Sequence, residues 1–156
     1  MDIRLRALLS RSGVVAQVTS PPFDSLALRD QGIHKVLTSD DIFGGPSTFL
    51  VLATTEGFAH ESPKTTKAVL GAVEDAMTFI KDHRTEAAAI YLRSDDAKLD
   101  QMFVENLLAD PVNAYEIAPR RILEYVAFLK KTKLMRNSPT DWHELFLPLI
   151  ADQQGS

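Results

Sequence analysis

The sequence predicts an α/β chain that is mostly helical, with a few short strands followed by four to five helices. Three observations predict it. Val14 to Thr19, Ile33 to Leu37 and Thr48 to Leu52 are short runs rich in β-branched and large apolar residues, all in the early part of the chain. From Ser62 onward the apolar residues recur at helical spacing. Between these halves stands Gly44-Gly45-Pro46, the densest backbone punctuation in the sequence, and it leads into Thr48 to Leu52 as a buried strand. A rigid turn feeding a strand there is either a hinge or an ordinary turn and core strand.

The first helix is expected from Asp2 to Ser10, with Leu5, Leu8 and Leu9 on one face and Gly13 as its stop. The strand Val14 to Thr19 must end at Ser20-Pro21-Pro22-Phe23, because two prolines donate nothing to a ladder. Asp24 caps a short helix to Asp30, and Gly32 breaks it. Ile33 to Leu37 is the weakest strand, and Glu56 to His60 is one helical turn. Ser62-Pro63 pairs a side-chain cap with proline at the first helical position and opens a helix to about Asp82. Its stripe is Val69, Val73, Met77 and Ile80, widened by Ala72, Ala76 and Phe79. Burial of each large member is worth roughly 1.5–3 kcal/mol.

Thr85 opens the next helix, whose apolar side is Ala88, Ala89 and Leu92. Ser94 or Asp95 caps a third helix to about Ala109, with Leu99, Met102, Phe103 and Leu107 inward and Pro111 as its end. Val112 to Ile117 reads as extended. Pro119 starts a fourth helix that faces Ile122, Leu123, Val126 and Leu129 inward. Ser138-Pro139-Thr140-Asp141 repeats the cap-plus-proline device before a short helix from Asp141 to Leu145, which carries the only tryptophan, Trp142. Gly155-Ser156 reads as a cloning remnant.

Composition narrows the function. The 156 residues suffice for one domain, and 45% hydrophobic with 24% charged is the make-up of an ordinary globular protein. A net charge of -4 argues against a nucleic-acid binder. The absence of cysteine removes disulfides, thiolate metal sites and cysteine nucleophiles. His60-Glu61 and His143-Glu144 lack the second histidine of a zinc-protease helix, so no metal or other cofactor is expected. His83, at a helix end, complements the dipole. No nucleophile elbow, P-loop or dinucleotide fingerprint is present, and no catalytic set is nameable. Asp40-Asp41 and Asp95-Asp96 are read as turn and cap chemistry, since adjacent side chains point apart. Lys130, Lys131, Lys133 and Arg136 suit a solvated helix end. Ser20, Pro22 and Phe23 offer a hydroxyl, a rigid ring and an aromatic wall at the end of a strand, as a ligand site or as a turn with a core phenylalanine.

One family resemblance rests on order and spacing. Ser20-Pro21-Pro22-Phe23, then Gly32 to Asp41, then Gly44-Gly45-Pro46-Ser47-Thr48-Phe49 resemble the substrate-binding proteins of nitrate/sulfonate/taurine-type ABC transporters. So do Ser62-Pro63-Lys64-Thr65, Ala87 to Tyr91, Phe103-Val104-Glu105 with Leu108 to Pro111, and Trp142 to Phe146. The resemblance covers roughly Ala7 to Ile150, and it is to the C-terminal half of such proteins. It implies part of a type II periplasmic-binding-protein fold. Residues 1–40 would be the tail of the second lobe, 41–55 the crossover strand and 56–154 the helical completion of the first lobe. It also implies a non-enzymatic, periplasmic protein that passes a small anion or a pyrimidine to a membrane permease. The ligand-facing positions would be Ser20, Pro22, Phe23, Gly44, Gly45, Pro46, Ser47 and Thr48. The thiamine-pyrimidine-forming branch of the same superfamily is enzymatic and carries a cysteine-rich motif, which this chain lacks. Helical stripes without their usual sheet would drive self-association, which gives the alternative of a non-catalytic, self-associating helical interaction domain.

Overall fold

A computed structural model describes residues 3–94 and 99–156. The chain forms two compact units, Met1–Leu37 with His83–Asn113, and Thr38–Asp82 with Ala114–Ser156. Each is built from two separate stretches of chain.

In the first unit, α1 (Ile3–Leu9) packs on α2 (Phe23–Ala27), and α6 (Arg84–Ser94) packs along α7 (Gln101–Ala109). Leu5, Ala27, Ala87, Ala88 and Val104 are its buried apolar side chains among the described residues. Two consecutive alanines on α6 permit close approach of a neighbouring helix, and Val104 is 2% exposed on α7. The cap of α7 is Asp100, which accepts from the backbone N–H of Phe103 at 2.8 Å. That bond is the main reason the Asp100 carboxyl titrates below the usual carboxylate range. Arg29 lies over the Phe103 ring, 4.2 Å from its centroid, and reaches Asp100 at 3.4 Å. Sequence reasoning placed this cap at Ser94 or Asp95. Asp95 and Asp96 lie outside the described residues, and Asp100 does the capping. Met102, expected inward, is exposed.

In the second unit, α3 (Ser39–Phe43) follows a capping box. Thr38 Oγ1 accepts from Asp41 N, and the Asp41 carboxylate accepts from Thr38 N. α4 (Glu56–Glu61) packs on α5 (Pro63–Asp82), and α8 (Ile122–Lys131) buries Val126. The Ser62–Pro63 start is where the sequence places it, though Ser62 enters through its carbonyl, which accepts from Thr66 N and Oγ1. No residue of α5 is buried. Its half-covered face is Thr66, Leu70, Val73, Met77 and Ile80, while Val69 and Phe79 are exposed. The expected stripe is therefore shifted and gains only part of its burial energy.

The expected α/β class is overturned. No strand or sheet exists among the described residues, so the periplasmic-binding-protein architecture is not formed. Val14 to Thr19, Ile33 to Leu37 and Thr48 to Leu52 lack regular secondary structure. Val15 and Val18 are 95% and 94% exposed. The supposed core strand exposes Phe49 by 74%, Leu50 by 81%, Val51 by 62% and Leu52 by 68%. A helix closes its hydrogen bonds within one segment, whereas a strand takes them from a neighbour. Composition reveals the wish for a neighbour, not its presence.

Near the C-terminus, two short 3-10 helices (Trp142–Leu145 and Pro148–Ile150) are tied together. Asp141 caps the first, and Glu144 reaches back to Asp141 N. The His143 ring stacks on Trp142 with centroids 3.7 Å apart. Its Nδ1 bonds Asp141, and its Nε2 lies 3.3 Å from the Ala151 carbonyl. The Asp141 carboxylate raises His143 above the usual imidazole range. The His143 backbone N–H, then its ring, lowers Asp141.

Linkage gives the pH window. The His143 contribution is complete below its unfolded value of about 6.5 and fades as pH rises through the higher folded value. The Asp141 contribution is present above about 3.9 and is lost as pH falls through its lowered folded value. The tie to Ala151 is thus strongest between these limits. Trp142 emission, quenched by the stacked imidazolium, should rise with a midpoint above 6.5. His143→Asn should abolish the step, and a flat wild-type profile would contradict the arrangement.

Candidate functional site

The eight positions expected to face a ligand fall into two groups. Ser20, Pro22 and Phe23 belong to the first unit. The Ser20 carbonyl accepts from Phe23 N at 3.0 Å and from Asp24 N at 3.4 Å. Pro22 is the cap residue of α2, and its carbonyl accepts from Leu26 N at 3.0 Å. The Pro21–Pro22 peptide is cis. Phe23 is half-buried as the first residue of α2. These backbone groups are engaged in starting a helix.

Gly44 to Thr48 belong to the second unit and form a more elaborate arrangement. Gly44 ends α3 in the left-handed region, at φ 74°, and Gly45 follows at φ 142°. Both N–H groups turn back onto the Asp40 carbonyl. The exposed Gly44 carbonyl accepts from Arg121 Nη2 at 2.7 Å. Arg121 Nη1 also pairs with Glu124 at 3.1 Å. Thr48 N donates to the Arg120 carbonyl at 3.0 Å, and Thr48 Oγ1 accepts from Arg120 N at 2.8 Å. The Tyr125 hydroxyl stands 3.5 Å from Ser47 Oγ, and the Tyr125 ring lies 4.4 Å from that of Phe43.

A guanidinium, two hydroxyls and an aromatic wall therefore meet at this turn. Arg121 has five N–H donors, and only part of the fork is taken by Gly44 and Glu124. Its remaining edge suits a planar or tetrahedral oxyanion. Glycine at 45 is favoured on two counts. Its φ is unfavourable for any side chain, and a Cβ would sit 3.1 Å from Arg121 Nη2.

Sequence reasoning missed Arg121, Tyr125 and Phe43. Arg121 is 77 residues from Gly44 and Tyr125 is 78 from Ser47, so no local pattern joins them. Two grooves lie elsewhere and include none of the eight positions. One, of about 390 Å³, is lined by Ile3, Ala7, Val14 and Gln17 in the first unit. The other, of about 170 Å³, is lined by Lys67, Leu70 and Leu149 in the second. Among the described residues there is no cluster of three metal-ligating side chains, and no helix is long and apolar enough to cross a membrane. No family model, curated protein or solved structure matches the chain.

Gly45→Ala should destabilise the second unit by about 1–2 kcal/mol in urea titrations followed at Trp142. Gly57, inside α4 with open space around it, is the control. Gly57→Ala should be neutral or stabilising by up to about 1 kcal/mol. Equal effects at the two positions would contradict the role given to Gly45.

Proposed function

We propose that this chain is the ligand-binding part of an ABC importer for a small organic or inorganic anion such as a sulfonate, taurine or nitrate, or for a pyrimidine. The order of its motifs supports this reading. The single observation that carries it is the meeting of Arg121, Ser47, Tyr125 and the Gly44–Gly45 backbone. The ligand's oxyanion takes the free edge of Arg121, and the hydroxyls of Ser47 and Tyr125 orient its polar remainder. Its partner is a membrane permease, its working compartment the periplasm, and it performs no catalysis.

A second reading has its own observation. The exposed apolar run Phe49 to Leu52 favours a non-catalytic helical interaction domain that self-associates and binds ligand only vestigially.

Calorimetric titration with taurine, an alkanesulfonate, nitrate and a pyrimidine tests the first reading. One ligand class should bind with a Kd of about 1 mM or tighter, and Arg121→Gln should weaken it about tenfold while helical circular dichroism is kept. No heat from any of the four at about ten times that concentration overturns it.

A further inference from the structure

We infer that two copies of this chain associate by antiparallel pairing of residues 49–53, with Val51 on the two-fold axis. The inference rests on the self-association reading and gives it a register. Among the described residues, no backbone N–H or C=O from Phe49 to Ala53 has a hydrogen-bond partner. Four successive side chains, Phe49 to Leu52, are exposed on both faces of the run. Such a segment, its peptide groups met only by water, is a ready template for pairing with another chain.

The sequence of the run chooses a second copy as the occupant. Thr48-Phe49-Leu50-Val51-Leu52-Ala53-Thr54 is nearly symmetric about Val51. Antiparallel self-pairing places Val51 opposite Val51, Leu50 opposite Leu52, and the large Phe49 opposite the small Ala53. Large then meets small on one face, and leucine meets leucine on the other. No charged residue occurs from Ile42 to Thr55, so no like charges are brought together. Parallel pairing would instead set Phe49 against Phe49 and Ala53 against Ala53.

The ends of the ladder are also defined. Thr48 N is already bonded to the Arg120 carbonyl, so pairing starts at Phe49. Pro46, two residues earlier, has no N–H to extend it. Beyond Thr55 the chain enters α4.

Sedimentation equilibrium and single-cysteine cross-linking test this on the intact chain, which has no native cysteine. Wild type at about 100 µM should sediment as a dimer, an association free energy of the micromolar class. Under mild oxidation Val51→Cys should form a disulfide-linked dimer at least about tenfold faster than Ala53→Cys. Two Ala53 positions lie about 14 Å apart in this register, beyond disulfide reach. Leu50→Lys should give a monomer with unchanged helical circular dichroism. If that variant does not fold, the two cysteine variants still decide the register. A monomeric wild type overturns both the register and self-association. A dimer in which the two cysteines cross-link equally, or not at all, overturns the register alone.

Discussion

The second unit depends on how the start of α8 is held. A helix leaves its first N–H groups without partners, and here residues distant in sequence bond the N–H groups of α8's first residue, its cap and the residue before it. Thr48 Oγ1 accepts from Arg120 N, Ser156 Oγ from Arg121 N, and the Ser156 carbonyl from Ile122 N. Ser156 N in turn donates to the Pro119 carbonyl. Arg121 accepts a left-handed backbone, at φ 55°, a cost of roughly 1–2 kcal/mol for a residue with a Cβ. The reward is a guanidinium aimed at Gly44. Pro119 is fully buried, and a Cβ on Gly155 would stand 2.9 Å from its ring and 2.7 Å from Trp142. Gly155 and Ser156 are part of this packing.

The helices were legible because their information is local. Pro63 and the period of residues 66–80 mark α5, and Ile122, Leu123, Val126 and Leu129 mark the inner side of α8. Errors came where two local signals competed. The start of α7 was expected at Ser94 or Asp95, and Asp100, a residue of the same capping type, holds it instead. The strands were illegible in a deeper sense. Phe49 to Leu52 has every property of a buried strand except a neighbour, and a neighbour is not a property of the segment. The site was half legible. Glycines at 44 and 45 signal a left-handed turn, yet nothing in their vicinity announces Arg121.

The two structural themes share one place. The turn that carries the polar groups ends at Thr48, and the apolar run begins at the next residue. The same hydrogen bonds that hold the turn on Arg120 therefore hold the start of the run. The proposed ligand contacts and the proposed association are adjacent along the backbone, and the basis for each is different. One depends on a cation with unused donors, the other on unpaired peptide groups beside exposed apolar side chains.

That adjacency has an entropic consequence. Ordering a free residue costs roughly 1–2 kcal/mol in backbone entropy, so a wholly flexible segment of five residues enters a ladder against a large opposing term. Here the chain leaving Thr48 is tethered at its origin and aimed by a capped helix, two left-handed glycines and a proline. Part of its conformational freedom is already gone before any partner arrives. The segment is preorganised from one end, so bringing it into a ladder costs less ordering entropy than it would for a free chain.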